Sequence, residues 1–157
     1  MPDTADLVAA ASFRPAGSID FEVLSAPGVY AIGLRGEAAL PEPFESLLTA
    51  RASRLIYIGK ATSLKRRMLG NELRGRGHGT FFRSIGAVLG YRPPAGSLAT
   101  KKNKNNYAFS PTDRAAIVDW INANLEVSWV ELPLADIRGA ESLLIAEHAP
   151  LLNLAGN

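Results

Sequence analysis

Cysteine is absent from the 157-residue chain, and histidine occurs only twice. Without cysteine the chain has no disulfide, no thiolate nucleophile and no thiolate zinc site, and its composition suits the reducing cytoplasm, where we expect the protein to work. Two histidines argue against a histidine-based zinc site. A site with oxygen ligands for Mg²⁺ or Mn²⁺ remains open.

Long hydrophobic runs are also missing. No stretch reaches the ~18 to 20 apolar residues that a membrane span requires. The N-terminus has a short alanine-rich apolar run without preceding basic residues, which is not the pattern of a secretory signal. We therefore expect a soluble intracellular protein with no membrane partner.

Acidic residues are scarce in the middle of the chain. Residues 51–104 hold 13 of the 17 Lys and Arg residues and one acid, Glu72, so this segment carries a formal charge of +12 and the remainder −10. A contiguous basic block of this kind favours a polyanionic partner, which it attracts and holds by releasing counterions. The alternative is a solubilising surface whose charges balance in space after folding.

With 47% hydrophobic residues, the chain has the size and composition of one globular domain. The patterns predict an α+β domain with three short strands, at 27–34, 54–59 and 126–132. Helices are expected after Gly59, from Thr80, over 111–124 with Ser110 as its cap, and from Asp136 to the residues before Pro150. A short helical turn is expected within 41–50, and residues 91–111 are expected to form a long exposed loop.

The sequence "RLIYIGKATSLKRRM" (54–68) places a strand, a glycine turn and a basic helix in succession. Tyr57 and Gly59 share one face of the strand, and Gly59 lets another group approach the backbone closely. On the helix, Leu64 and Met68 face inward and Arg67 lies at the edge of this apolar stripe. An arginine held there is placed for bidentate phosphate binding, while its neighbours Lys65 and Arg66 point to solvent.

Three segments together resemble the GIY-YIG nuclease superfamily: "GVY" at 28–30, "YIGKATSLKRR" at 57–67 and "ESLLIAEHAPLLN" at 141–153. The family elements occur in order, and the arginine lies ten residues after the second tyrosine, as it does in the family. The resemblance implies a three-stranded antiparallel sheet flanked by helices, a nuclease domain at 27–157 and an N-terminal extension at 1–26. The 27-residue step from Tyr30 to Tyr57 is longer than is common and resembles the insertion of some restriction endonucleases.

The resemblance also implies a metal-assisted hydrolysis of phosphodiester bonds. Glu141 would be the sole protein ligand of one divalent ion, Mg²⁺ or Mn²⁺, and Tyr30 or Tyr57 would orient or activate the attacking water. Lys60 and Arg67 are expected to lower the pKa of these tyrosines, and Arg67 to stabilise charge on the transferring phosphate.

Two further catalytic residues follow from the resemblance. Asn153 would hold the catalytic side chains or backbone in place, and His78 would accept the proton of the nucleophile, although its spacing from Arg67 varies within the family.

The expected partner is nucleic acid, DNA rather than RNA, with a homodimer or a partner protein supplying any further specificity. The residues expected to contact it are cations of the basic block: Lys65, Arg66, Arg74, Arg76, Lys101, Lys102 and Lys104. A catalytically idle nucleic-acid-binding module on the same scaffold is the alternative. A third possibility is a nucleotide or polyphosphate hydrolase. It is weaker, because such a small substrate does not require so large a basic block.

Overall fold

The computed structural model describes residues 4–51, 53–77, 79–94 and 108–153, and its centre is an antiparallel sheet. Three strands lie where they were predicted: β2 at Gly28–Leu34, β3 at Leu55–Ala61 and β4 at Leu125–Glu131. A fourth, two-residue strand, β1 at Arg14–Pro15, pairs with β4 and gives the order β1-β4-β2-β3. The α+β fold is confirmed, with one strand more than expected.

Helices surround the sheet at α1 (Phe44–Ala50), α2 (Thr80–Val88), α3 (Pro111–Asn124) and α4 (Ile137–His148), with a π-helix at Lys65–Leu73. Short 3₁₀ turns lie at Ala5–Val8, Ala10–Ser12, Ala16–Ser18, Leu134–Asp136 and Leu151–Asn153. Helix α3 begins as predicted, because the Ser110 hydroxyl accepts a hydrogen bond from the Asp113 amide at 3.1 Å. Within the four ranges given above, no helix has the length and apolar character to span a bilayer.

The two faces of the sheet bury separate apolar clusters. On one face, Tyr30 and Ile32 of β2 pack with the π-helix, α2 and α3. On the other, Val29 and Ala31 pack with α4. Strand β3 is an edge strand of the sheet. Side chains from the helices of both faces can therefore meet beside it.

The predicted N-terminal extension packs on the sheet. Leu7 is fully buried in the cluster that includes α4, and Ala16 and Ile19 are fully buried in the other cluster. Strand β1 extends the sheet beyond β4. This segment thus contributes to the same core as the predicted nuclease domain.

The helix expected after Gly59 is a π-helix. Leu64, Met68 and Leu73 are all fully buried, as the predicted apolar stripe requires. An α-helix of about 3.6 residues per turn would place Leu73 opposite Leu64, nine residues earlier. The wider turn of a π-helix, with its i→i+5 hydrogen bonds, brings both leucines to the core.

Candidate active site

A cavity of about 240 Å³ lies beside edge strand β3. It is lined by five of the seven predicted catalytic residues: Tyr30, Tyr57, Lys60, Arg67 and Glu141. They come from β2, β3, the π-helix and α4, which approach β3 from both faces of the sheet. Residues that are more than a hundred positions apart in the chain therefore share one small polar space.

The two tyrosines lie next to each other on neighbouring strands. Tyr30 pairs with Gly59 across β2 and β3, and its ring centroid lies 6.2 Å from that of Tyr57. Gly59 allows this, because a Cβ atom at that position would lie 2.4 Å from Cζ of Tyr30. Tyr57 packs in turn against Phe81 of α2, with the ring centroids 5.2 Å apart. Both rings are thus held rigidly at the wall of the cavity.

Glu141 brings a carboxylate to the cavity from the middle of α4. Its side chain is 19% exposed, and Oε1 lies 3.3 Å from Nζ of Lys60. A single hard oxygen donor facing a polar cavity fits Mg²⁺ or Mn²⁺, which take carboxylate together with water and phosphate ligands. Among the residues that the structure describes, no three acidic or histidine side chains are grouped as a metal site, and Glu141 is the carboxylate among those that line the cavity.

Asn153 contacts the site through the backbone of β3. Its Oδ1 accepts a hydrogen bond from the amide of Ile58 at 2.7 Å, and its Nδ2 donates to the carbonyl of Ile58 at 2.9 Å. Edge strands leave such groups without a strand partner. The amide of Asn153 takes the place of that partner and fixes the backbone next to Tyr57.

Glu72 is a residue that the sequence reasoning did not assign to the site. It is completely buried, and its Oε2 accepts a hydrogen bond from the hydroxyl of Tyr30 at 3.0 Å. Burial raises the pKa of Glu72, although the charge of Arg67 and the hydrogen bond from Tyr30 oppose that rise. The only signal in the sequence was its isolation as the single acid among thirteen cations.

The carboxylate of Glu72 also caps helix α2. Its Oε1 accepts a hydrogen bond from the Phe81 amide at 3.2 Å. The helix was expected to start from Thr80, and its cap position belongs to Gly79, where the buried carboxylate takes the place of a capping side chain. A Cβ on Gly79 would lie 2.4 Å from Oε1 of Glu72, so only glycine leaves room for this contact.

Arg67 interacts with both Glu72 and Tyr30 from the π-helix. Burial works to lower the pKa of Arg67, but its interactions with Tyr30 and Glu72 outweigh burial and raise that pKa. The guanidinium therefore stays protonated. The side chain of Arg67 lines the cavity and is also exposed to solvent, and the phosphate binding expected of it stays a prediction.

The expectation that cations lower the pKa of the tyrosines is wrong in this structure. Burial raises the pKa of Tyr57, and the charges of Glu72 and Glu141 add to the rise, while Arg67 and Arg83 act against it. Burial and Glu72 likewise raise the pKa of Tyr30 well above its ordinary value. The expectation counted the nearby cations but not the buried glutamate, so both hydroxyls are neutral.

The cations expected to contact nucleic acid lie in different surroundings. Lys65, Arg66 and Arg76 are exposed. The side chain of Arg74 is only 9% exposed, and its hydrogen bonds go to Asp20, Asn122 and the carbonyls of Ala16 and Leu73. Arg74 therefore ties the end of the π-helix to the N-terminal segment.

Four predicted residues fall outside the described part of the chain: His78, Lys101, Lys102 and Lys104. Most of the predicted loop at 91–111 lies outside it as well. Their expected roles stay predictions.

Arg83 of α2 is a second residue that the sequence reasoning missed. Its charge acts on Tyr57, and its Nη1 is buried without a hydrogen-bond partner among the described residues. Residues 73–112 contain no Asp or Glu, so no neighbour in this stretch of sequence can neutralise it. Arg83 adds a further positive charge near Tyr57.

Comparison with known protein families gives one match. The model of the family described as "GIY-YIG catalytic domain" matches residues 28–157, from the first residue of β2 to the end of the chain. Searches of the curated proteins and of the solved structures returned no match. The matched range contains every residue that lines the cavity.

Proposed function

The chain belongs to the GIY-YIG catalytic domain family, and from this premise we propose that it is a metal-dependent endonuclease that cleaves phosphodiester bonds, in DNA rather than RNA. Domains of this family are typically nucleases, so membership supports nuclease activity in general and nucleic acid as the substrate class. One observation supports the specific proposal most: a single cavity joins two tyrosines, two cations and one carboxylate.

Glu141 is the residue that would hold the divalent ion. GIY-YIG nucleases usually use such an ion, and the carboxylate oxygens of Glu141 suit Mg²⁺ or Mn²⁺. The bound ion would supply Lewis-acid stabilisation of the charge that gathers on the phosphate. Lys60, at 3.3 Å, is the cation that balances Glu141 in the structure described here.

Arg67 and Lys60 are the groups that would bind the scissile phosphate. Both line the cavity, and the charge of Arg67 acts on Tyr30 and Glu72. A guanidinium already present beside the phosphate would stabilise the charge that develops there during the reaction.

Tyr30 and Tyr57 would position the attacking water as neutral hydroxyls. Because burial and Glu72 raise the pKa of both, neither provides a tyrosinate base at neutral pH. A neutral phenol can still accept one hydrogen bond while donating another. The tyrosines thus orient the water, and the proton that the water loses must go further.

The remaining cations would hold the polyanion near the site. Lys65 and Arg66 are exposed on the π-helix next to Arg67, and Arg76 is exposed two residues after Arg74. Such charges raise the local concentration of nucleic acid without reading its sequence. A homodimer, or a partner protein, would supply the second cut and the specificity.

A catalytically idle nucleic-acid-binding module is the second candidate, because the basic block alone would support it. Against it stands Glu141, whose carboxylate repels phosphate and would be of no use to a protein that only binds nucleic acid. The complete set of cavity residues therefore favours catalysis.

The test is to incubate the purified chain with duplex DNA, single-stranded DNA and RNA in the presence of Mg²⁺ or Mn²⁺, with and without EDTA. We expect cleavage of DNA that requires the metal and stops with EDTA. Tight binding with no cleavage of any substrate would favour the idle module instead.

A further inference from the structure

We propose that Glu72 is the final acceptor of the proton lost by the attacking water, which it receives through the hydroxyl of Tyr30. The inference rests on the nuclease function proposed above. It concerns a residue outside the motifs that carry the family resemblance, and it gives the buried carboxylate a part in the reaction. Glu72 would act through Tyr30 and is therefore a positioning residue.

The direction of the hydrogen bond supports this transfer. The hydroxyl of Tyr30 is the donor and Oε2 of Glu72 the acceptor, 3.0 Å apart, in a fully buried pair. With its proton directed to Glu72, Tyr30 offers its oxygen lone pairs to other partners. Tyr30 also lines the cavity, and the proposed transfer requires a water there to donate to that oxygen.

In the proposed step, every bond that forms and every proton that moves has a partner in the site. The water oxygen forms a bond to phosphorus, and the bond from phosphorus to the leaving oxygen breaks, with its electron pair going to that oxygen. The water proton passes to Oη of Tyr30 while the hydroxyl proton of Tyr30 passes to Glu72, which becomes a neutral carboxylic acid. Tyr30 is neutral before and after the step, so no tyrosinate is needed.

The surroundings of Glu72 suit a carboxylate that begins ionised. Arg67 approaches it from the π-helix, the Tyr30 hydroxyl from β2, and the Phe81 and Phe82 amides from α2. Tyr57 on β3 is a further titratable group near it among the described residues, and burial raises its pKa so that it is neutral. Burial raises the pKa of Glu72, which makes its carboxylate a stronger base than an exposed one.

Glu72 could instead serve only to cap α2 and hold Tyr30 in place. Glu72→Gln separates the two roles, because glutamine keeps one acceptor oxygen, which in the place of Oε2 accepts from Tyr30 and lies 3.4 Å from the Phe81 amide, but does not take up the proton. A capping role predicts that glutamine retains most of the activity. Proton acceptance predicts that glutamine loses it.

The experiment compares single-turnover DNA cleavage by the wild type, Glu72→Gln, Tyr30→Phe and the double variant. We expect Glu72→Gln and Tyr30→Phe each to lose about 10²–10⁴-fold in rate, and the double variant to lose no more than either alone, because both remove the same transfer. The wild-type rate should fall as the pH drops and Glu72 becomes protonated, and Glu72→Gln should lack that dependence. Thermal unfolding and DNA binding in Ca²⁺ control for folding.

Two results would overturn the transfer: a Glu72→Gln rate close to that of the wild type, or losses that multiply in the double variant.

If Glu72→Gln does not fold, a proton inventory of the wild type in H₂O–D₂O mixtures replaces it. We expect a curved plot from two protons in motion, and a linear plot would contradict the transfer. A wild type that cleaves nothing overturns the nuclease proposal and the transfer together, whereas an active Glu72→Gln overturns the transfer alone.

Discussion

Gly59 sets how closely Tyr30 can approach strand β3. A side chain at this position would meet the Tyr30 ring and hydroxyl at 2.4 and 2.5 Å, distances that no packed structure tolerates. The Tyr30 ring is fully buried and bound to Glu72, so it has no space to withdraw. The glycine of the "YIG" segment is therefore a packing requirement of the active site.

We expect Gly59→Ala to destabilise the fold by about 2 kcal/mol, because the added methyl overpacks a site that cannot relax. Urea unfolding measures this, and the same variant should lose cleavage activity as Tyr30 is displaced. The control is Gly139→Ala on α4, where a Cβ would contact nothing within 4 Å. That change should stabilise the helix by about 0.5–1 kcal/mol. Equal effects from the two variants would contradict this account.

The sequence was informative for residues whose role depends on strand geometry. Tyr57 and Gly59 could be placed on one face because strand periodicity assigns each side chain to a face, and Tyr30 was joined to them through the family resemblance. Glu72 could not, since an α-helical turn of about 3.6 residues directs it away from Arg67, five positions earlier. Only the wider turn of the π-helix brings the side chains of Arg67 and Glu72 close enough to interact with each other.

Among the elements, the π-helix connects the site with the N-terminal segment. Arg67 and Glu72 contact Tyr30 from within it, and Arg74 follows its last residue. The Nη2 of Arg74 lies 2.6 Å from Oδ1 of Asp20, and its Nη1 lies 3.0 Å from Oδ1 of Asn122 on α3. One guanidinium thus joins three parts of the fold.

We expect Arg74→Ala to lower the free energy of unfolding by about 2 kcal/mol, because a nearly buried guanidinium with all its hydrogen bonds made is removed. Exposed Arg76 is the matched control, and Arg76→Ala should leave stability nearly unchanged. Arg74 lowers the pKa of Asp20 below its ordinary 3.8. The stability that this pair gives is therefore present above pH 4 and is lost as the pH falls further.

The contribution of Arg74 is measured by chemical denaturation at pH 7 and at pH 3. The difference between Arg74→Ala and wild type should be smaller at the lower pH, since the contribution of the ion pair falls as Asp20 takes up a proton. A difference that grows on acidification, or that Arg76→Ala reproduces, would refute the structural role of Arg74.

For the whole molecule, the order of the motifs predicted residues that line one cavity beside β3, and the polyanionic partner expected from the charge asymmetry stays a prediction. The three main strands, α3 and α4 could be predicted because their apolar periods and caps are regular. Strand β1 could not, because two residues make no pattern, and its pairing with β4 is a tertiary contact. The raised pKa of the tyrosines was also missed, because burial is a property of the assembled core.

We propose that the cavity beside β3 hydrolyses phosphodiesters and that Glu141 is required for this reaction. Glu141→Gln and Glu147→Gln remove the same charge from the same helix, but the side chain of Glu147 is 71% exposed, and Glu147 does not line the cavity. The most direct measurement is therefore the single-turnover rate of DNA cleavage by the wild type and these two variants in saturating Mg²⁺ or Mn²⁺. We predict that Glu141→Gln slows cleavage by about a thousandfold or more while still binding DNA, and that Glu147→Gln cleaves like the wild type. Cleavage that survives Glu141→Gln unchanged would contradict the account.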